Sequence, residues 1–256
     1  MKYSAIIDGM TWSYSRLTCF ESCPYSFLLK YIMHTKQGEL FFSEFGKLIH
    51  QIIGMTLEGF LDKDDAVEYY CRKFPECTRC GVPNSNISTS YFQSGLAYIK
   101  SMELPSNPIV IERRGSFEIE NKSFVDIIDC AYLENGKMIL QDHKSHDLKP
   151  RSGREKPTKS DIELDRYLRQ LYIYSALFKD WTGEYPDVLR FNCYRTQTEI
   201  SEEFDLEVLK SVLNWASLLA EKIIDNDDWS PNIDYWKCRY LCDVNQECVY
   251  HQANRR

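Results

Sequence analysis

The sequence predicts a mixed α/β fold in which a central sheet is flanked by helices. Asn135-Gly136 joins two apolar, β-branched runs, and Asn-Gly is the preferred two-residue hairpin turn. A strong helical pattern at 160–179 is followed by another strand-like run at 187–196. The composition, 43% hydrophobic and 14% aromatic, is typical of a globular protein, and 256 residues suffice for one large domain spanning 1–256.

The remaining elements follow from apolar periodicity along the chain. The spacing of large apolar residues predicts four N-terminal helices, at 13–33, 45–61, 64–72 and 90–103. Alternating patterns predict a three-stranded meander, at 109–120, 124–133 and 137–143. Ser160-Asp161 caps the helix at 160–179, and a long amphipathic helix is expected at 203–225. The tail at 226–256 carries Trp and Cys residues but no core of its own, so something must order it.

The hairpin carries the candidate catalytic residues. It brings Asp129 and Asp142 together at one end of the sheet, and Lys144 projects from the same face as Asp142. Two converging carboxylates favour a hard divalent cation, and a lysine beside such a cation can polarise the attacking water. This combination predicts phosphodiester hydrolysis. Asp126 lies three residues before Asp129 and is the reserve candidate for the first acid.

Charge is distributed unevenly along a chain whose net charge is −7. Segment 144–159 follows the proposed active-site strand and has six basic residues against two acids, a net charge of +4. Pro150, Gly153 and Pro157 make it a loop or lid. We expect this basic segment to contact phosphates, whose neutralisation dominates nucleic-acid affinity. A solvated surface loop is the alternative.

Ten cysteines occur in a chain with no recognisable export signal, which favours metal ligation over a disulfide scaffold. Cys238, Cys242 and Cys248 offer three thiolates within eleven residues, and a tetrahedral site needs a fourth ligand. Four thiolates suit zinc as well as an iron–sulfur cluster.

Five segments resemble motifs of the PD-(D/E)XK nuclease superfamily, specifically its RecB-like exonuclease branch. They occur in the family's order, namely Trp12–Tyr31 with its Cys23-Pro24, Gly46-Lys-Leu-Ile-His50, Asp129…Asp142-x-Lys144, Gln170-Leu-Tyr-Ile-Tyr174, and the Cys238, Cys242 and Cys248 cluster. The last resembles the cysteine cluster of the family's iron–sulfur members, including AddB-type and CRISPR-associated nucleases. The motifs run over nearly the whole chain.

The resemblance implies a catalytic centre. His50, Asp129, Asp142 and the backbone carbonyl of His143 would bind Mg²⁺ or Mn²⁺, and Lys144 would assist the attack of water on the phosphodiester. A lone helical histidine is more often structural, and only the resemblance makes His50 a ligand.

A second implied feature is one helix face beside that centre. Gln170 and Tyr174 are one turn apart and share a helix face. By resemblance Gln170 positions the lysine or the scissile phosphate, and Tyr174 contacts DNA. Core packing is the alternative for Tyr174.

The resemblance also supplies the fourth cysteine ligand, Cys23, and with it a [4Fe-4S] cluster, with zinc as the alternative. Such a cluster would join residues 12–34 to residues 226–250 in an arrangement that we call the clasp, and ligation energy would become folding energy. The C-x3-C spacing at Cys238 departs from the family's usual C-x2-C. Cys19, one turn before Cys23, is a competing ligand.

The other cysteines suggest less. Cys71, Cys77 and Cys80 contain a C-x2-C pair that would make half of a second zinc site, but no fourth ligand lies near in sequence, and coincidence is the simpler interpretation. Cys130 and Cys193 alternate with strand residues and are expected in the core.

These observations predict a metal-dependent DNA nuclease, an exonuclease by resemblance, that processes DNA ends in recombination, repair, phage replication or CRISPR adaptation. A non-catalytic DNA-binding or scaffold protein with the same fold and cluster is the alternative, and a zinc-stapled RNA-processing factor is a third interpretation. No G-x-x-x-x-G-K-[ST] loop is present, so unwinding would need a helicase or recombination partner. With no apolar run of membrane-spanning length, we expect a cytoplasmic protein without membrane association.

Overall fold

A five-stranded mixed sheet forms the centre of the structure, a computed structural model that describes residues 3–253. The spatial order follows the chain: β1 (Pro108–Ile119), β2 (Lys122–Glu134), β3 (Lys137–Lys144), β4 (Val188–Cys193) and β5 (Thr198–Glu203). All neighbouring strands are antiparallel except β3 and β4, which run parallel and are joined by a long helix.

Ten α-helices surround this sheet among the described residues. They are α1 (Ser4–Asp8), α2 (Tyr14–Ser22), α3 (Pro24–Phe27), α4 (Phe41–Leu57), α5 (Lys63–Thr78), α6 (Ser85–Ser101), α7 (Lys159–Thr182), α8 (Leu206–Ile224), α9 (Tyr235–Tyr240) and α10 (Val249–Ala253). A π-helical turn, Leu28–Ile32, continues α3. The predicted α/β class, with a mixed sheet between helices, is confirmed.

The β2–β3 hairpin forms as the sequence predicts. Asn135 and Gly136 both adopt positive φ, 50° and 76°, which two-residue hairpin turns of this kind require. Glu134 pairs with Lys137 beside the turn, and the ladder continues as far as Cys130 opposite Gln141. The turn therefore sets the register of the two strands that carry the acids.

The two faces of the sheet pack against different helices, because successive strand residues point to opposite sides. Leu140 lies in the core that the sheet forms with α7 and α8. Its neighbour Ile139 faces the other way, in a small cluster that Leu57 of α4 covers. Helices α4, α5 and α6 form a second core of their own. The β2–β3 hairpin thus lies between two helical layers.

Several boundaries differ from the predictions, for example α5, which was predicted at 64–72 and runs to Thr78, and three differences have a clear physical reason. The predicted helix 13–33 is broken at Cys23, whose extended backbone (φ −163°, ψ 104°) precedes Pro24, the first residue of α3. Strand β5 was not predicted as a separate strand, because it is an acid-rich edge strand in which only Ile200 is buried. The last long helix consequently begins at Leu206 and not at 203.

No described helix combines the length and the apolar character needed to cross a bilayer.

Candidate active site

The acids lie where strands β2 and β3 separate. Regular pairing of β2 with β3 ends at Cys130 and Gln141, so His143, which pairs with Asn192 of β4, has no strand partner on its β2 side. Asp129 takes over this role, because its Oδ2 accepts a hydrogen bond of 2.8 Å from the His143 amide. The carboxylate is therefore fixed between the two strands and is almost completely buried.

His50 reaches this carboxylate from α4, on the opposite side of the sheet from α7. Its Nδ1 is 3.3 Å from Glu112 Oε1 and 3.5 Å from Asp129 Oδ2. Its Nε2 lies 3.0 Å from the carbonyl oxygen of His143. One ligand atom each from His50, Glu112 and Asp129 lies within 4.8 Å of the others, so these three residues fit a divalent cation.

Glu112 is a candidate that the sequence analysis missed. Ile111 pairs with Cys130 and Arg113 with Ile128, so Glu112 stands across from Asp129 in the β1–β2 register. Its backbone adopts a left-handed φ of 41°, which is rare outside glycine and is concentrated at functional sites. Strand β1 carries several exposed charges, so composition alone did not single Glu112 out. Extending the hairpin register to β1 would have found it.

Asp142 and Lys144 face the other helical layer. Asp142 is 2% exposed, and its Oδ2 is 2.8 Å from Lys144 Nζ. Lys144 also donates to Gln170 Oε1 at 2.6 Å, and Gln170 Nε2 donates to the Tyr174 hydroxyl at the same distance. Gln170 therefore lies against the lysine amino group, and Tyr174 lies behind Gln170 with its side chain buried in the core.

Electrostatics at the site favour a bound cation. Burial, together with the negative charge of Asp142, raises the pKa of Asp129 to about 7. For His50, burial by itself lowers the pKa, but Asp129 and Glu112 together raise it to about 9. Each shift reflects negative charge concentrated in a poorly solvated space, which a divalent ion would neutralise.

The imidazole of His143 is buried behind the site. Burial holds its pKa well below the ordinary value, and Asn192 Nδ2 lies 3.0 Å from its Nδ1. The ring is therefore neutral, and only the backbone of His143 faces the acids.

Asp126, the reserve candidate, occupies a different position. Its Oδ2 accepts a hydrogen bond of 3.2 Å from the amide of Tyr14, the first residue of α2. Burial raises its pKa to about 7. Asp126 is not in the group of three metal donors, and it connects the catalytic strand to the N-terminal segment.

The four cysteines of the predicted clasp line one partly open cavity of about 30 Å³, although they come from opposite ends of the chain. These residues are Cys23, Cys238, Cys242 and Cys248. The sulfur atoms are not drawn together to the spacing of a single-ion site, since no three of them lie within 4.8 Å of one another. Cys19 lies outside this cavity and contacts Ser26 Oγ at 3.8 Å. The donor set fits a thiolate-ligated group.

The remaining cysteines show no comparable grouping within residues 3–253. Cys71 is exposed, Cys77 is buried, and Cys80 donates to Glu39 Oε2 at 3.7 Å. No set of three metal donors includes them in this part of the chain. Cys130 and Cys193 are buried, as predicted.

Comparisons with known proteins complete the description. No curated protein sequence matches the chain. A solved structure titled "Crystal structure of SSO0001" is similar at 19% identity and a TM-score of 0.32, covering 80% of this chain and 95% of that one. A sequence model described as the PD-(D/E)XK nuclease superfamily matches residues 11–249. The assignment depends on this last match, which includes every element of the site described above, and the chain therefore belongs to the PD-(D/E)XK nuclease superfamily.

Proposed function

We propose that the protein is a metal-dependent DNA nuclease of the RecB-like branch and that it acts as an exonuclease at DNA ends. One observation carries the proposal. Three metal donors, His50, Glu112 and Asp129, lie next to a buried Asp142–Lys144 pair at the point where two strands separate. Superfamily membership supports the nuclease chemistry, and the geometry supports these residues as its source.

Each residue of the centre has a separate task. A bound Mg²⁺ or Mn²⁺ ion would supply Lewis-acid activation of water and of the scissile phosphate, and it would be held by His50, Glu112 and Asp129, with Asp142 and the carbonyl of His143 as further candidate ligands. Lys144 places its amino group where it can hydrogen-bond the attacking water or a phosphate oxygen. Asp142 and Gln170 hold that amino group in one position, so that little reorganisation is needed during the reaction.

A groove beside Lys144 supports DNA as the substrate. It has a volume of about 450 Å³ and runs between α2, the first turns of α7 and the clasp. Tyr14 and Tyr167 line it together with Arg166. Lys144 does not line the groove itself, but its Nζ lies 5.6 Å from the centre of the Tyr167 ring, so Tyr167 stands between the groove and the lysine. Aromatic rings and cations along one groove suit the bases and phosphates of a single strand.

The basic segment 144–159 adds a second set of candidate phosphate contacts. Arg151 is paired with Asp165 and Glu202, and Ser152 is hydrogen-bonded to Asp161. These contacts hold the segment against α7 and β5, so it resembles a fixed arch more than a free lid. Its cations Arg154, Lys156 and Lys159 are left for phosphates, and none of them has an ion-pair partner among the described residues.

For the clasp we propose a [4Fe-4S] cluster bound by Cys23, Cys238, Cys242 and Cys248. The spacing of the sulfur atoms supports this choice. Tetrahedral zinc with Zn–S bonds of about 2.3 Å requires sulfur atoms about 3.8 Å apart. No three of the cysteine sulfur atoms around this cavity lie within 4.8 Å of one another, which a larger polynuclear group tolerates more readily than a single ion. Burial also raises the pKa of Cys242, so ligation there would release a proton.

The test of the proposed function uses DNA of four kinds, end-labelled linear and internally labelled circular, each single- and double-stranded. We expect Mg²⁺- or Mn²⁺-dependent shortening of linear DNA and none in EDTA, with circles resistant. Cleavage of circular DNA would show that the enzyme is an endonuclease. Binding without cleavage under every metal condition would favour the non-catalytic scaffold and contradict the proposal. Because the sequence contains no P-loop, we place the enzyme beside a helicase or recombination partner in end processing.

A further inference from the structure

We infer that Arg195, in the turn that follows β4, binds a phosphate group of the DNA on the α6 side of the sheet. The inference rests on the proposed function in one respect, because it takes DNA as the ligand. It goes further in assigning a substrate contact to a residue that lies outside every motif of the sequence and outside the groove at Tyr167.

Arg195 lies beside the chain segment that carries the catalytic lysine. Lys144 pairs with Cys193 in the parallel β3–β4 register, and the amide of Tyr194 donates a hydrogen bond of 3.1 Å to the carbonyl oxygen of Lys144. One residue further along, Arg195 Nη1 donates to the carbonyl oxygen of Ser145 at 3.4 Å. The guanidinium therefore stands at the same end of the sheet as Lys144, where β3 and β4 both end.

An aromatic ring holds the guanidinium in one position. Arg195 Cζ lies 3.9 Å from the centre of the Tyr91 ring, and Nη1 donates a hydrogen bond of 3.0 Å to the Tyr91 hydroxyl. Tyr91 belongs to α6, and its ring centre is 5.3 Å from that of Phe41 and 4.9 Å from that of Phe45, both of which are buried. Because these contacts fix the charge before a ligand arrives, binding would cost little conformational entropy.

No described carboxylate neutralises this charge. The arginine ion pairs of the described residues involve Arg151, Arg169 and Arg190. Arg190, on β4 itself, donates hydrogen bonds of 3.1 and 2.8 Å to the two carboxylate oxygens of Glu134. In Arg195, by contrast, Nε is buried and has no hydrogen-bond partner in the described part of the chain. A half-buried guanidinium without an acid costs free energy, so an anion is its expected partner.

A phosphate of the DNA fits as this partner in chemistry and in place. Guanidinium nitrogens form charge-assisted hydrogen bonds to phosphate oxygens, and Nη2 of Arg195 makes no hydrogen bond to any described residue. The groove at Tyr167 lies on the α2 and α7 side of the sheet, and Arg195 lies on the α6 side. A strand that leaves the groove and crosses the end of the sheet at Lys144 would therefore meet Arg195 next. It would be held on both sides of the scissile phosphate.

The test begins with DNA affinity, measured by fluorescence anisotropy in EDTA, where no cleavage is expected. Arg195→Gln should weaken binding of single-stranded DNA about tenfold, because a charge-assisted hydrogen bond is lost. It should also reduce the slope of log affinity against log salt by about 0.7, the value for one phosphate of a single strand. Arg72→Gln is the matched control, since Arg72 is also stacked on a tyrosine, Tyr69, at 5.4 Å but is exposed on α5. It should change neither quantity.

The second part of the test uses strands in which one phosphate at a time is replaced by a neutral methylphosphonate. At one position the replacement should weaken wild-type binding about tenfold and should not weaken Arg195→Gln further, because both changes remove the same contact. Strands with and without terminal phosphates distinguish the two sources of the ligand. Coupling at a terminal phosphate would identify the DNA end, coupling at an internal phosphate would identify the backbone, and either result supports the inference.

Equal losses in wild type and Arg195→Gln at every methylphosphonate position would overturn the inference. Arg195→Lys keeps the charge without the planar group, so it should retain the salt slope and the sensitive position, which separates a lost contact from a folding defect. Coupled binding in a protein that cleaves no DNA would sustain this inference and refute the proposed function. Cleavage without any coupling would refute this inference alone.

Discussion

The end of the β2–β3 hairpin that carries Asp129 and Asp142, which we call the acid edge, and the clasp both consist of polar or reactive side chains. The rest of the chain supports these two regions differently. The acid edge is fixed by backbone pairing and by two hydrophobic cores, one on each face. Asp129 and Asp142 are buried within this framework. Their positions therefore follow from the fold, with or without a metal.

The C-terminal half of the clasp has much less support. Helix α9 has no buried residue, and several large apolar side chains of the tail are exposed, among them Ile233, Tyr235 and Val249. Its attachments are a few apolar contacts, at Trp229 and Val244, and individual polar contacts such as the 2.7 Å ion pair between Lys30 and Asp243. Such exposed or half-exposed pairs contribute little stability each.

This difference indicates two kinds of preorganisation in one protein. The catalytic centre is held by packing, and its metal adds chemistry. Under the proposed function, the clasp would be held by ligation, and its cofactor would add folding energy. The two regions should therefore fail separately when their own residues are changed.

The largest effect is expected at Lys144. Lys144→Ala removes the amino group beside Asp142, and we expect cleavage to fall by about 10³-fold or more, since positioned proton-transfer and charge-stabilising groups contribute on this scale. Thermal stability should change little. Lys137→Ala, on the same strand but far from the acids and exposed, is the control for cleavage of linear DNA. If both variants cleaved linear DNA at comparable rates, this hairpin would not be the active site.

The clasp gives the next effect, on stability. Cys23→Ser and Cys248→Ser should each lower the free energy of unfolding by up to ~5 kcal/mol, because each opens the same long loop closure. The double variant should be little worse than either single variant. The exposed Cys71, changed to Ser, is the control in anaerobic thermal denaturation. Anaerobic iron and zinc analysis of the wild type should give about four irons per chain.

If the two cysteine variants had small, additive effects on stability and the wild type held no metal, the clasp would be refuted. One tightly held zinc in a colourless protein would retain the clasp and change its cofactor.

The hydrogen bond between Asp126 of β2 and Tyr14, in the N-terminal part of the clasp, gives a smaller, pH-dependent effect on stability. Asp126 accepts from the Tyr14 amide, and burial raises its pKa from 3.8 to about 7. Between about pH 4 and pH 7 the folded state therefore binds more protons than the unfolded state, so the free energy of unfolding falls as pH rises. Asp126→Asn keeps an acceptor for Tyr14 but has no charge to bury.

In EDTA, the stability of Asp126→Asn relative to the wild type should grow by about 2–4 kcal/mol from pH 4 to pH 8. Urea denaturation at several pH values measures this difference. A stability difference between variant and wild type that does not change with pH would mean that Asp126 is ionised and well solvated in the folded protein.

The smallest effect is expected at Tyr174. Tyr174→Phe removes the hydroxyl that accepts from Gln170 but keeps the buried ring, so the loss is about 1 kcal/mol of positioning, or roughly a fivefold reduction in cleavage rate. Tyr172→Phe is the control, because Tyr172 packs on Phe204 away from the lysine. Equal rates for the two variants would leave Tyr174 with a packing role only.

Sequence alone was sufficient wherever a local rule fixed the geometry. Asn135-Gly136 predicted the hairpin register, and the spacing of Gln170 and Tyr174 predicted their shared helix face. Local rules could not predict contacts between distant elements. Glu112 reaches the site only through pairing of β1 with β2, and no motif around it indicates this, so only the register of the neighbouring strands would have found it. Strand β5 was missed for a related reason, since an edge strand buries too little to show alternation.

Hydrogen exchange tests the contrast between the two regions most directly. Amide exchange would be compared between anaerobically purified wild type and Cys248→Ser, both without DNA. We predict that residues 226–251 lose protection by at least tenfold in the variant, while β2 and β3 remain as protected as in the wild type. Equal protection of the tail in both proteins, or loss of protection in β2 and β3 together with the tail, would contradict a catalytic edge held by packing and a clasp held by ligation.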